Sequence, residues 1–77
     1  MEDDTLYEGE VIFFNAPKGW GFIEWHKDGE KQTDMFVHFS DIQMEGFRQL
    51  KAGQKVTFYI GVNHNGDQKA VEVQITE

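Results

Sequence analysis

A chain of 77 residues is long enough for one small domain with one modest hydrophobic core. The formal net charge is −7, so attraction to phosphate can be only a minor source of affinity for a nucleic acid. The absence of cysteine excludes disulfides and thiolate metal sites, and no apolar stretch is long enough to span a membrane.

The first residues are acidic and lack the basic start and apolar run of a signal peptide. Acidic side chains are concentrated there, at Glu2, Asp3, Asp4, Glu8 and Glu10. We therefore expect residues 1–7 to form a solvated acidic extension and residues 8–77 to form the domain. We also expect the protein to be cytoplasmic and to have no membrane partner.

Five runs along the chain show the alternation and composition typical of strands. They span residues 8–14, 20–25, 34–39, 56–61 and 70–76. Glycine-containing turns separate the runs, and Asn65-Gly66 is a strong turn signal. The linking stretch 40–54 has no sustained helical period. Short strands without a long helix predict an all-β fold, a closed five-stranded antiparallel β-barrel.

Alternation divides the strand side chains into two faces. One face is mostly aliphatic, and we expect it to fill the barrel: Val11, Ile23, Met35, Val37, Val56, Phe58, Ile60, Val71, Val73 and Ile75. The charge of Glu72 supports this orientation, because a carboxylate does not lie unpaired inside a small barrel. The opposite face of the second and third runs then carries Trp20, Phe22, Phe36 and His38.

A contiguous set of exposed rings predicts a binding surface. The alternative is that the rings belong to the core, but a chain this short cannot build two cores. Phe14 and Phe39 lie at strand ends, where a ring often packs under a loop, so both placements stay open for them. Bases stack on exposed rings with little sequence demand, and Lys18, Arg48 and Lys69 offer contacts to phosphates.

Two segments resemble the ribonucleoprotein motifs of the cold-shock domain, a family of the OB-fold class. The first, Lys18–Ile23, reads Lys-Gly-Trp-Gly-Phe-Ile, and the second, Met35–Phe39, reads Met-Phe-Val-His-Phe. Three flanking stretches also match: Phe13-Phe14-Asn15, Ser40-Asp41-Ile42 and residues 50–56. The resemblance covers roughly residues 8–76, and both motifs at the family's spacing are far more specific than either one alone.

The resemblance implies a five-stranded Greek-key β-barrel that binds single-stranded RNA and DNA with low sequence selectivity and a preference for pyrimidine-rich stretches. It also implies RNA-chaperone action and regulation of transcription and translation, without a cofactor or a small-molecule substrate. Carried over residue by residue, the family's binding face falls on Phe13, Phe14, Lys18, Trp20, Phe22, Phe36, His38, Phe39 and Phe47. We expect a monomer, with dimerisation left open.

The chain departs from the family pattern in several places. Ile12-Phe13 stands where Lys-Trp is common, and Trp20 stands where phenylalanine is usual. Asp67-Gln68-Lys69 replaces Gly-Pro-Gln, and the turn 26–33 is longer than in compact bacterial members. These changes bear on affinity and base preference more than on the fold.

Residues that support catalysis or hold a metal are sparse. Ser40 is the only serine, and a serine before an aspartate at a strand end is more often a turn or a cap. His26, His38 and His64 match no helical or zinc-finger spacing. We therefore expect neither an enzyme nor a metal site.

A second function stays open, that of a protein-interaction or dimerisation module that uses the same aromatic face without physiological nucleic-acid binding. The excess of negative charge and the sequence Ile12-Phe13 favour it. Lys18 beside Trp20 opposes it, as does His38 beside Phe36, because a dry interface excludes charge from its centre.

Overall fold

The computed structural model describes residues 3–44 and 49–76. Its strands are β1 (Asp3–Asn15), β2 (Trp20–Lys27), β3 (Glu30–Lys31), β4 (Met35–His38), β5 (Lys55–Val62) and β6 (Gln68–Ile75). A single 3₁₀ turn, Phe39–Asp41, follows β4. Among the described residues, no helix has the length and apolar character that crossing a membrane requires.

Five of the strands close into a barrel in the order β1-β5-β6-β4-β2, and β2 pairs again with β1. The β4–β6 pairing is parallel, through Val37 and Ala70, and the other pairings around the barrel are antiparallel. The short strand β3 pairs with the end of β2 and forms a hairpin inside the turn 26–33. The all-β barrel predicted from the strand pattern is confirmed.

The barrel interior is filled by one cluster of buried side chains. Its members are Tyr7, Val11, Ile23, Trp25, Met35, Val37, Ile42, Leu50, Val56, Phe58, Ala70 and Val73. Ile60 and Ile75 pack against this cluster while partly exposed. Most of the aliphatic face predicted to point inward therefore does so, and the linking stretch adds Ile42 and Leu50.

The first strand begins earlier than the pattern predicted. Strand β1 starts at Asp3, and Tyr7 is only 8% exposed. The Tyr7 ring lies 5.0 Å from the ring of Trp25 and 6.0 Å from that of Phe58, measured between centroids. Strand β1 thus includes residues that the composition had assigned to the acidic extension, and one of them, Tyr7, contributes to the core.

Strand β6 contains a β-bulge that changes which side chains face inward. Between the pairs Thr57–Gln74 and Tyr59–Val71 it has one residue more than β5, and Glu72 has a φ of 50°. Ala70 and Val73 are buried as a result, and the prediction that Val71 lies in the core is wrong, since its side chain remains partly exposed.

Candidate nucleic-acid interface

Two neighbouring strands place four aromatic side chains opposite one another on the outside of the barrel. In the antiparallel pairing of β2 and β4, Trp20 faces His38 and Phe22 faces Phe36. All four side chains are partly exposed, whereas the alternate positions along both strands are buried. The outward placement predicted from the alternation is therefore confirmed for this set.

The rings form one connected surface with Trp20 at its centre. The centroid of the Trp20 ring lies 5.7 Å from that of Phe13, 5.8 Å from that of Phe22 and 6.4 Å from that of Phe36. The Phe22 and Phe36 rings meet edge to face at 6.1 Å. We call these four rings, together with His38 and Phe39, the aromatic platform.

Phe13 reaches the platform because β1 has a β-bulge. The register runs from the pair Val11–Ile23 directly to the pair Phe13–Phe22, so Ile12 is the extra residue. Strict alternation from the buried Val11 would turn Phe13 inward. The bulge instead places it on the outer face, where it is 46% exposed.

At the other end of the platform, the His38 ring lies 4.6 Å from that of Phe39, which is 43% exposed. Gly19 fixes the position of Phe39. The Phe39 amide donates to the Gly19 carbonyl oxygen at 2.8 Å, and a Cβ on Gly19 would come within 2.6 Å of the Phe39 ring. Gly19 also has a φ of 79°, which favours glycine.

Gly21 allows β1 and β2 to approach beneath the platform. A Cβ at this position would collide with the Phe13 carbonyl oxygen and would lie 2.8 Å from Phe14 Cα. Both obstacles are backbone atoms, which cannot move away as a flexible side chain can. Glycine between the outward Trp20 and Phe22 is therefore required by the pairing that holds the rings together.

The predicted cations differ in their availability. Lys18 lies exposed in the turn before β2, and its backbone amide donates to Asn15 Oδ1 at 3.1 Å. Lys69 Nζ forms an ion pair at 3.1 Å with Asp41 Oδ2, and both side chains are largely buried. Lys69 is therefore paired within the fold, while Lys18 is exposed and lies two residues before Trp20 in the sequence. Arg48 lies outside the described residues.

Two other predicted site residues are not placed on the platform. The Phe14 ring is partly buried and packs against the core cluster, one of the two placements left open for it. Phe47 lies outside the described residues. Within the described part of the chain, no group of three or more histidine or carboxylate side chains is arranged to hold a metal ion.

The platform ends at an acidic surface. Beyond Phe22 along the outer face of β2 lies Glu24, directly opposite Glu10 of β1. Glu10 Oε1 accepts a hydrogen bond from Lys55 Nζ at 2.7 Å. Because Glu10 is paired with Lys55, Glu24 is the carboxylate here that most disfavours a phosphate backbone, and it gives the platform an acidic end.

Comparisons with known proteins agree with this arrangement. Residues 7–76 match the family model described as the 'Cold-shock' DNA-binding domain. Cold shock protein 1 of Lactiplantibacillus plantarum is 52% identical over 65 residues, which is 84% of this chain and 92% of that protein. Cold shock protein CspC of Bacillus subtilis is 49% identical over the same share of each chain.

A third relative, cold shock protein CspB of Geobacillus stearothermophilus, is matched along its whole length. It is 44% identical over 70 residues, which is 91% of this chain and 100% of that protein. The family model and these relatives cover almost all of the barrel, including both strands of the platform. The chain therefore belongs to the cold-shock domain family.

Proposed function

We propose that this protein binds single-stranded RNA and DNA with low sequence selectivity by stacking bases on the aromatic platform. One observation carries the proposal: the four connected rings lie outside a barrel whose interior is already filled by a separate cluster. The family consists of nucleic-acid-binding proteins that are not enzymes. OB-folds bind oligonucleotides on the face of their second and third strands, which here are β2 and β4.

Stacking supplies the affinity that charge does not. A base stacked on an aromatic side chain contributes about 1–3 kcal/mol, whichever base it is. Several stacks together offset an association cost of roughly 4–15 kcal/mol. The net charge of −7 leaves Lys18 as a local phosphate contact rather than part of a broad basic surface.

The proposed consequence is RNA-chaperone action in the cytoplasm, with effects on transcription and translation. A strand held on the platform cannot pair with its complement, so binding shifts a weak hairpin toward its open form by mass action without ATP. We further propose a preference for pyrimidine-rich stretches.

The test compares one pyrimidine sequence as a single strand and as a duplex. Oligouridine or oligothymidine is titrated into the protein while tryptophan fluorescence is followed. We expect quenching by the single strand and much weaker quenching by the duplex, because paired bases do not present their faces to a protein surface. Equal binding of the two forms, or no binding of either, contradicts the proposal.

A protein-interaction module is the second candidate, favoured by the carboxylates Glu10 and Glu24 beside the platform and by the exposure of Phe13 and Phe39. Such a module would bury the rings against another protein. Sedimentation of the purified protein over a range of concentrations tests one form of this alternative, in which the platform binds a second copy of the chain. That form predicts a dimer, and single-stranded nucleic acid that competes for the platform should dissociate it.

A further inference from the structure

His38 ends strand β4 and leads into the turn Phe39–Asp41, where its imidazole contacts Ser40 twice. The Ser40 hydroxyl oxygen lies 2.8 Å from His38 Nδ1. The backbone amide of Ser40 donates to the same nitrogen at 3.3 Å. The ring is therefore held from one side by two polar groups of a single residue.

The amide shows which nitrogen carries the proton. A backbone N–H can only donate, so His38 Nδ1 must accept and is unprotonated. In a neutral imidazole the proton is then on Nε2, the nitrogen on the far side of the ring from Nδ1. The Ser40 hydroxyl then donates to the same nitrogen at the shorter distance of 2.8 Å, against 3.3 Å for the amide, so its bond is the stronger of the two and contributes most to holding the tautomer and the ring orientation.

We infer that Ser40 is a positioning residue that holds His38 in the Nε2–H tautomer, so that the imidazole donates a hydrogen bond to a carbonyl oxygen of a base stacked on the platform. This inference rests on the proposed function and adds the chemical group of the base that His38 recognises, which is a carbonyl oxygen. The rings of Phe13, Phe22 and Phe36 offer no conventional hydrogen bond, so stacking on them does not distinguish bases. A fixed donor beside Phe39 favours uracil and thymine, which carry two carbonyl oxygens.

The tautomer is tested first in the free protein. Long-range ¹⁵N–¹H correlation spectra of the imidazole separate protonated from unprotonated nitrogens. We expect Nε2 of His38 to be protonated and Nδ1 to be unprotonated in the wild type and in Ser40→Thr, which keeps the hydroxyl. We expect a mixture of the two tautomers in Ser40→Ala, which keeps only the weaker bond from the amide. Protonation at Nδ1 in the wild type overturns the inference, whatever the protein binds.

The expected base preference is then tested by measuring binding to two probes. One probe is a short oligothymidine, and the other is the same strand with thymine replaced by difluorotoluene, which keeps the shape but lacks the carbonyl oxygens. We expect the wild type to prefer thymine by about threefold to tenfold, as one net hydrogen bond allows. Ser40→Ala should lose most of that preference while still binding the difluorotoluene strand, and Ser40→Thr should retain it.

A Ser40→Ala variant with the full wild-type preference contradicts the positioning role, as does a wild type that binds both probes equally. If the wild type binds neither probe, the proposed function fails, and the spectra of the free wild type and of free Ser40→Ala still decide whether the Ser40 hydroxyl sets the tautomer. The two failures are therefore distinguishable.

Discussion

At the residue scale, the side chains separate into an inner and an outer aromatic group. Tyr7, Trp25 and Phe58 contact one another inside the barrel. Trp20 contacts its neighbours on the outside, where nothing in the barrel interior depends on it. The same ring chemistry therefore serves stability in one group and, as we propose, base stacking in the other.

Replacing Trp20 by alanine should weaken binding far more than it weakens the fold. Losing the central ring removes about 1–3 kcal/mol of stacking, which is roughly a fivefold to 150-fold loss of affinity for oligothymidine. The free energy of unfolding should fall by only about 1 kcal/mol, because the ring is partly exposed. Fluorescence anisotropy of a labelled strand measures the affinity, and urea unfolding measures the stability.

The matched control is Phe58→Ala, since Phe58 is fully buried. Truncating a buried phenylalanine costs about 3–5 kcal/mol, enough to unfold much of a small domain. If Trp20→Ala were as destabilising as Phe58→Ala, Trp20 would be acting as a core residue and the platform would not be a free surface.

Gly21→Ala should be destabilising for a steric reason. The added Cβ meets the backbone of β1, at the Phe13 carbonyl oxygen and Phe14 Cα, so the two strands must separate. Gly61→Ala is the comparison, because its Cβ would meet only the side chain of Val71, at 2.7 Å. We expect Gly21→Ala to cost about 1–3 kcal/mol or more in urea unfolding, and Gly61→Ala to cost less. The reverse order would contradict the close approach described for β1 and β2.

At the element scale, period-two alternation was enough to predict the outer face of β2 and β4, because these strands pair without interruption. Trp20, Phe22, Phe36 and His38 share that face as expected from parity alone. The barrel itself was predictable from the length and spacing of the strand-like runs. The Greek-key topology was predicted from the family resemblance, as were the site residues that alternation along a strand does not identify.

Beta-bulges account for most of what alternation missed. The bulges at Ile12 and beside Glu72 each shift parity by one residue, which turned Phe13 outward and took Val71 out of the core. No single residue type marks a bulge, since its position depends on how two strands fit around a curved barrel. Tyr7 was missed for a different reason: acidic residues dominate the composition of the first part of β1, and Tyr7 is buried among them.

The position of Glu24 at the acidic end of the platform leads to a prediction about binding. Glu24→Gln removes a carboxylate next to Phe22 and should tighten binding of an oligothymidine long enough to pass it by about twofold to fivefold at low salt. Glu72→Gln makes the same change in charge on β6, a strand that carries none of the platform rings, and should have little effect. Equal effects of the two variants would show that only total charge matters, and not the position of Glu24.

At the scale of the whole molecule, the net charge of −7 and the aromatic platform together set how binding responds to salt. Binding that depends on stacking releases few counterions. We therefore expect a shallow log–log plot of affinity against salt, with a slope equivalent to about two or three phosphates. A slope equivalent to eight or more, measured by titration at several salt concentrations, would show that charge rather than stacking dominates.

The most direct test of base stacking on the platform uses two variants that each keep one tryptophan. Trp25→Phe keeps Trp20 on the outer face, whereas Trp20→Phe keeps Trp25, which is 5% exposed and donates from Nε1 to the Thr33 carbonyl oxygen at 2.8 Å. Titration with oligothymidine should strongly quench the fluorescence of the variant that keeps Trp20 and barely change that of the variant that keeps Trp25. Equal quenching of the two, or quenching confined to Trp25, would contradict the account.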